Sequence, residues 1–228
     1  MKRRHFVASG LALAPLAAPT WAQSYPSRPI NMVVGFAAGG GVDFLARTIA
    51  PALTASYGQP IVVDNRPGAS SIIAAQYMAR APGDGYNFFA ADSGALILNA
   101  ALYSNLPYDP VRDFAPVSML VRAPMLVVAS NNFPANNLPQ LVEYANQNRG
   151  KLSYASPGRG TAHGLGMEQL KQRAKFFAVE IPYRGAGPAI QDVISGQVPV
   201  AVIDSIVALP QIRGGKIKVL GALTPSRL

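Results

Sequence analysis

The residues that could do chemistry cluster at two glycine-containing stretches and at the ends of two other apolar runs. Backbone N–H groups and hydroxyls in such loops donate hydrogen bonds to an anion, and a helix that follows adds the positive end of its dipole. The pattern therefore predicts that an anion is held, and other features must decide which kind. The candidates are Gly39, Gly40, Gly41 and Asp43 in the first stretch, Ser156, Gly158, Thr161 and His163 in the second, and Ser93 and Asp204 at the other two runs.

The glycine stretches do not match the phosphate-binding fingerprints. The dinucleotide pattern G-x-G-x-x-G fails from Gly158 because position 163 is histidine, and it fails from Gly39 because position 44 is Phe44. The pattern G-x-x-x-x-G-K-[ST] of nucleoside triphosphate loops does not occur in the chain. Nucleotide binding is therefore not predicted.

The hydroxyls and carboxylates do not form a recognisable catalytic set. A nucleophile elbow needs G-x-S-x-G, but position 91, two residues before Ser93, is alanine. His163 is the only histidine after the first 22 residues, so a serine–histidine mechanism or a zinc site would depend on it alone. Spacing alone does not exclude a pair of catalytic carboxylates among Asp43, Asp92 and Asp204.

Each candidate also has a purely structural interpretation. Asp43 can interact with the dipole of the helix that it begins, and Asp204 can cap the next turn. The serines, Thr161 and the glycines can be turn residues selected for their backbone angles. His163 can be a packing or hydrogen-bonding residue.

The composition indicates a globular protein with an ample core. The chain has 228 residues, of which 50% are hydrophobic and 14% charged, and it contains no cysteine, which excludes disulfides and thiolate chemistry. The formal net charge is +9, yet the lysines and arginines are scattered without a run of five or more. A nucleic-acid interface would require a clustered basic patch, so none is predicted.

The first 22 residues have the layout of a secretory signal peptide. Lys2, Arg3 and Arg4 precede a short apolar stretch, and small residues at 20 and 22 indicate cleavage after Ala22. The paired arginines also resemble a twin-arginine signal, so the general secretory and twin-arginine routes both stay open. The segment predicts an exported protein that is soluble outside the cytoplasm.

The elements that must position the candidate residues alternate between strands and helices. In the first half, strands are predicted over residues 30–36, 60–65 and 86–91, and helices from 42, over 72–80 and over 95–102. This order predicts a largely parallel sheet with helices on its faces and ligand loops at one edge.

A proline-rich passage, residues 106–116, leads through two apolar runs, 117–121 and 125–129, to a second α/β unit. There, helices are predicted over 138–147 with Asn137 as cap, from the 156–163 loop to 171, and over 188–195. Strands are predicted over 152–155, 177–181, 198–203 and 217–222. We predict a first lobe over 23–121, a second over 122–228, and a ligand cleft between them.

The chain resembles the substrate-binding proteins of tripartite tricarboxylate transporters, the Bug family of periplasmic solute receptors. The likeness covers essentially everything from residue 25 to the end. The segments that carry it are YPSRPI at 25–30, FAAGGGVD at 36–43, VDNRPGA at 63–69, APGDGY at 81–86, LPYDP at 106–110, DFAPV at 113–117, LSYAS at 152–156, IPYRG at 181–185, GQ at 196–197 and GGK at 214–216.

The resemblance implies a two-lobed α/β fold of the type II periplasmic-binding-protein kind, with parallel-rich sheets, that closes on a small carboxylate. The ligand would be a di- or tricarboxylate, an acidic amino acid or an aromatic acid, and it would pass to membrane permease subunits. The resemblance implies no catalysis, cofactor or metal. The ligand-binding residues that it implies are Phe36, Gly39, Gly40, Gly41, Asp43, Ser93, Ser156, Gly158, Thr161, His163 and Asp204. The alternatives are an enzyme (a hydrolase or transferase) of similar fold that acts on a carboxylate, and a sensor that presents its ligand to a signalling partner.

The chain departs from the family pattern in two respects. Arg159 stands at or beside a usual asparagine, after an atypical Pro157, and could either pair with the ligand or face solvent. Family members also continue for roughly a hundred residues, a domain-scale length, beyond residue 228 to complete the first lobe. We therefore expect this chain to be a fragment or a truncated gene product.

Overall fold

The computed structural model describes residues 25–224, and the predicted signal peptide lies outside them. The first lobe, hereafter lobe 1, is built on the strands β1 to β3. In chain order its elements are β1 (Ile30–Val34), α1 (Gly41–Tyr57), β2 (Ile61–Asn65), α2 (Ile72–Ala79), β3 (Asn87–Ala90), a π-helical turn (Gly94–Leu98) and α3 (Asn99–Leu102).

The sheet of lobe 1 is parallel, with strand order β2-β1-β3. Strand β1 is the central strand of this sheet, and helices cover both faces of the sheet. An apolar run suits that position, and Val33 and Val34 are fully buried. Ala46 on α1 packs against one face, and Ala74 and Met78 on α2 pack against the other. The ends of β1, β2 and β3 therefore lie at one edge of the sheet, as the strand–helix alternation predicts.

Lobe 2 contains a mixed sheet of five strands in the order β6-β5-β7-β4-β8. Strand β4 runs antiparallel to β7 and β8, while β5 runs parallel to β6 and β7. The elements are β4 (Met125–Ser130), α4 (Leu138–Gln147), β5 (Ser153–Ser156), α5 (Ala162–Ala174), β6 (Val179–Pro182), α6 (Ala186–Ser195), β7 (Val200–Asp204), α7 (Ser205–Arg213) and β8 (Ile217–Ala222).

The lobe 2 sheet has one hydrophobic core on each face. Leu141, Leu152 and Met167 belong to the first core, and Ile190 and Val193 to the second. The strands β4 and β7 contribute alternate side chains to the two cores, so they are buried on both faces and read as unbroken apolar runs.

The structure departs from the sequence expectation at helices α5 and α7. Helix α7 is absent from the prediction, because Pro210 interrupts its apolar pattern, yet Asp204 caps it by accepting a hydrogen bond from the Val207 N–H at 3.1 Å. Helix α5 begins at Ala162, so His163 lies in its first turn rather than in a loop. The apolar run 117–121, part of the passage between the two lobes, is irregular and its side chains are exposed. Within residues 25–224, no helix combines the length and apolar composition needed to cross a bilayer.

Helix α4 provides a test of the capping interpretation, since its predicted cap is observed. The Asn137 side chain accepts a hydrogen bond from the Gln140 N–H at 2.9 Å. We expect Asn137→Ala to lower the free energy of unfolding by about 1 kcal/mol, because one helix N–H loses its acceptor. Urea denaturation measures this value. Asn146→Ala, the same substitution on an exposed position of the same helix, is the control and should have no cost; equal losses in both variants would contradict the cap.

Candidate functional site

The two lobes meet along a seam formed by residues 36–41 of lobe 1 and residues 184–187 of lobe 2. The Ala37 N–H donates a hydrogen bond of 3.0 Å to the Arg184 carbonyl across the seam. A methyl group added to Gly187 would lie 2.6 Å from the Ala38 carbonyl oxygen, and one added to Gly185 would lie 3.1 Å from the Ala37 nitrogen. Backbone therefore approaches backbone, which only residues without a side chain permit.

Four helices, two at the seam and two beside it, begin close to one another, and we call their N-terminal ends the helix-end cluster. The Cβ position of Gly40, before α1, lies 3.8 Å from the Ala186 nitrogen, where α6 begins. The Cβ position of Gly41 lies 2.8 Å from a carboxylate oxygen of Asp204, the cap of α7. His163, in the first turn of α5, contacts the same carboxylate. The N-terminal N–H groups and positive dipole ends of the four helices thus share one region, which favours negative charge.

Asp204, which is buried, and His163, which is partly buried, form a pair in this cluster. His163 Nε2 lies 3.1 Å from Asp204 Oδ2, and Asp204 is 5% exposed. Burial by itself would raise the pKa of Asp204, but the hydrogen bond and charge of His163 and the N–H groups of α7 bring its pKa below the usual value. The carboxylate is therefore ionised at neutral pH. Among the described residues, His163 Nδ1 is buried and has no hydrogen-bond partner.

Asp43 is buried and holds the glycine stretch of lobe 1 in place. Its carboxylate accepts hydrogen bonds from the Gly39 N–H at 3.0 Å, from Asn65 Nδ2 at 2.9 Å and from Arg47 Nε at 3.0 Å. Burial would raise its pKa, yet these donors lower it below the ordinary value of 3.8. The observed role of Asp43 is therefore to fix the loop, and its contact with a ligand stays a prediction.

The corresponding loop of lobe 2 is shaped by its own hydroxyl groups. Ser156 Oγ accepts a hydrogen bond of 3.0 Å from the Gly158 N–H. Thr161 Oγ1 donates to the Gly158 carbonyl at 2.6 Å and accepts from the Gly164 N–H at 3.2 Å, which caps α5. Both side chains are buried. They set the conformation of the loop, so the backbone N–H groups remain its main means of holding an anion.

Ser93 and Phe36 lie on lobe 1 at the ends of β3 and β1. Ser93 is exposed. Its neighbour Asp92 accepts a hydrogen bond from the Ala95 N–H, and burial raises the pKa of Asp92. A methyl group on Gly94 would lie 2.5 Å from the Gly160 carbonyl oxygen of lobe 2. Phe36 is 9% exposed and packs beside Gly185. Both predicted residues thus adjoin contacts between the lobes.

The structure also brings Ser70 and Asn99 of lobe 1 against Gly158 and Gly160, a contact that no motif indicates. A methyl group at Gly158 would overlap the Ser70 hydroxyl, and one at Gly160 would overlap the Asn99 side-chain oxygen. In the sequence, Ser70 stands two residues before the helix predicted over 72–80, and Asn99 lies within the helix predicted over 95–102. This contact depends on how the two lobes are placed relative to each other, and local sequence patterns do not predict that placement.

A largely apolar depression of about 720 Å³ opens beside the seam. Phe44, which is 55% exposed, Pro188 and Ile206 contribute to its lining, together with Gly39. The depression is distinct from the polar loops, because Gly39 is the only predicted site residue that lines it. Apolar surface therefore lies next to the helix-end cluster.

Arg159, for which the sequence allows two roles, forms an ion pair with Glu180 of lobe 2. Its Nε lies 3.0 Å from Glu180 Oε2, and the arginine side chain is 85% exposed. The guanidinium is therefore directed along the surface of its own lobe in this structure.

The close backbone approach at Gly187 is testable. We expect Gly187→Ala to separate the lobes, because the added methyl group would overlap backbone atoms of residues 38 and 39. Small-angle X-ray scattering should then report a larger radius of gyration than in the wild type. Gly83→Ala is the matched control, because no heavy atom lies within 4 Å of the added methyl group. An unchanged radius for Gly187→Ala would show that the seam is not a close contact in solution.

The lowered pKa of Asp43 predicts a pH-dependent contribution to stability. A depressed folded-state pKa contributes stability that is present above the ordinary value of 3.8 and is lost as the pH falls through the folded-state value. We expect Asp43→Asn to be less stable than the wild type by about 1–3 kcal/mol at pH 7, the range for hydrogen bonds to a buried charged group. Urea denaturation between about pH 7 and pH 3 should show this difference shrinking as the pH falls. Glu143→Gln, which changes an exposed carboxylate, should have little effect at any pH; a pH-independent difference for Asp43→Asn would refute the assignment.

Comparison with known proteins identifies the family. A family model described as "Tripartite tricarboxylate transporter family receptor" matches residues 45–228. A protein of Bordetella pertussis that carries the description UPF0065 is 37% identical over 220 residues, which is 96% of this chain and 67% of the relative. BugT of the same organism is 34% identical over 218 residues, which is 95% of this chain and 67% of BugT. Both relatives are longer than this chain, as the sequence resemblance predicts.

Two solved structures superpose closely and confirm the predicted two-lobed α/β fold of periplasmic binding proteins. One, an R. palustris protein with adipate, has a TM-score of 0.85 at 34% identity and is matched over 89% of this chain and 68% of its own. The other, MatC from Rhodopseudomonas palustris with bound malate, has a TM-score of 0.85 at 32% identity over 89% of this chain and 69% of its own. The sequence resemblance is thereby confirmed, and the chain belongs to the tripartite tricarboxylate transporter receptor family.

Proposed function

We propose that the protein is an extracytoplasmic receptor that binds a small organic carboxylate between its lobes and delivers it to the permease subunits of a tripartite tricarboxylate transporter. The observation that carries the proposal is the helix-end cluster, in which helices from both lobes begin close to one another, an arrangement that favours an anion. The +9 formal charge, or +6 without Lys2, Arg3 and Arg4, adds a modest general attraction for anions.

A dicarboxylate suits the two-sided arrangement of the loops. The glycines at 39–41 belong to lobe 1 and the loop at 156–161 belongs to lobe 2, so a ligand with a carboxylate at each end engages both lobes at once. Binding energy is then available to hold the lobes together. The relatives solved with adipate and with malate support this ligand class.

Binding without chemical conversion agrees with the observed hydrogen bonds. The hydroxyls of Ser156 and Thr161 are engaged with the backbone of their own loop, and the carboxylate of Asp204 both holds His163 and caps α7. An enzyme of the same fold would need a nucleophile or a water held by a free acid–base group. We therefore infer a receptor in which these groups fix loop geometry.

Isothermal titration of the full chain with malate and adipate tests the proposal. We expect one site and a ligand that is recovered unchanged, and a ligand at about 100 times its Kd should stabilise the protein by about 2.7 kcal/mol. The diamide of adipate, which has the same length without negative charge, is the matched control and should not bind. Equal binding of the diamide, or turnover of the dicarboxylate, would refute the proposal.

Delivery to a transporter is tested separately. The ligand-loaded protein should be retained by the membrane components of a tripartite tricarboxylate transporter more strongly than the ligand-free protein. Retention by a signalling protein instead would favour the sensor alternative.

A further inference from the structure

The turn before helix α2 holds three consecutive residues in an unfavourable backbone conformation. Ala69, Ser70 and Ser71 have φ angles of 45°, 51° and 71°. None of them is glycine, and a side chain in this left-handed region is disfavoured by contact with its own backbone. Runs of such residues persist only where the surrounding structure determines them, and they occur preferentially at functional sites.

A buried polar network within lobe 1 holds this turn in place. Asn99, which is fully buried, donates from Nδ2 to the Ser70 carbonyl at 3.0 Å. The Tyr108 hydroxyl lies 3.4 Å from the same nitrogen and donates to the Ala95 carbonyl at 2.6 Å. Ser71 is 1% exposed and packs on Gly35 within the same lobe. The network fixes the backbone of the turn, so the direction of Ser70 is fixed as well.

Ser70 faces the lobe 2 loop across the interlobe contact. A methyl group at Gly160 would lie 3.1 Å from Ser70 Cβ, and one at Gly158 would overlap Ser70 Oγ. Gly158 and Gly160 lie between Ser156 and Thr161, which shape the loop that is proposed to hold a ligand carboxylate. Lobe 1 therefore closes on this loop with a serine hydroxyl.

The Ser70 hydroxyl is available as a donor. No hydrogen bond to Ser70 Oγ is found within residues 25–224, and the side chain is only partly buried. The adjacent Ser71 hydroxyl has no hydrogen-bond partner among the described residues either, but it is buried and directed into lobe 1 against Gly35. Two serines in the same strained turn thus have different surroundings.

We propose that Ser70 is a ligand-binding residue of the cleft. Its hydroxyl donates to the ligand carboxylate held by the 156–161 loop, so that lobe 1 recognises the ligand at this loop as well as at residues 39–41. The strained turn, held by Asn99, is the positioning device for this hydroxyl. The inference rests on the proposed carboxylate-binding function and adds a contact that the glycine loops do not supply.

The test compares Ser70→Ala with Ser71→Ala in the full chain by titration with malate and adipate. Both substitutions remove one hydroxyl from the same turn and keep a Cβ. We expect Ser70→Ala to raise the Kd for the tighter-binding probe about 10-fold, the loss associated with a hydrogen bond to a charged group, and Ser71→Ala to leave the Kd within about 2-fold.

A glycine pair separates strain from recognition. Ser70→Gly and Ser71→Gly both relieve an unfavourable φ angle, and we expect each to raise the melting temperature by about 2 °C, since the gain is partly offset by the flexibility of glycine in the unfolded chain. Only Ser70→Gly should also raise the Kd. This readout confirms that each variant folds before its affinity is interpreted.

The outcomes separate the two proposals. A wild-type protein that binds neither probe overturns the proposed function and with it the role of Ser70. A Ser70→Ala variant that binds a probe as tightly as the wild type does, or a Ser71→Ala variant that is weakened equally, overturns the role of Ser70 alone.

Discussion

The close approach of backbone to backbone between the lobes is the constraint on which the rest of the site depends. Gly187 lies against the backbone of residues 38 and 39, and Gly41 lies against the carboxylate of Asp204. A methyl group at Gly187 would lie 2.6 Å from the Ala38 carbonyl oxygen, and one at Gly41 would lie 2.8 Å from the Asp204 carboxylate, so at either position the lobes would have to move apart. Because the glycines allow contact, helix N-termini that belong to different lobes can act on one anion. The glycines therefore matter for the distance between lobes as much as for the loops themselves.

Contact between several helix N-termini carries an electrostatic cost that the protein offsets with its own carboxylates. Positive dipole ends that face each other repel, and Asp204 and Asp43 lie where they neutralise part of this charge. The low pKa of each group shows that the ionised form is favoured at its site. Acidification would remove this compensation, which is why the contribution of Asp43 to stability is expected to vanish at low pH.

The supporting interactions of the two loops belong mostly to their own lobe. Asp43, Asn65 and Arg47 fix the lobe 1 loop, and Ser156 and Thr161 fix the lobe 2 loop. Each loop is thus held in its conformation by contacts within its own lobe, which lowers the conformational-entropy cost of ordering the loop when ligand binds. The turn at Ser70 is likewise held by a residue of its own lobe, because Asn99 donates a hydrogen bond to the Ser70 carbonyl.

Local patterns in the chain were sufficient for most of the elements, for the family and for the position of the glycine loops. Strand β8 and helix α4 with its Asn137 cap have the predicted bounds, because hydrophobic period, capping residue and turn residues all agree there. Helix α7 was missed because Pro210 breaks the local signal while burial of Val207 and Ala208 stabilises the helix. The contacts across and within the site, by contrast, are visible only in the folded chain. The Asp204–His163 pair joins positions 41 residues apart, and Ser70 meets Gly158 from the other lobe. Such contacts arise from the packing of whole lobes, and no periodicity within one segment records them.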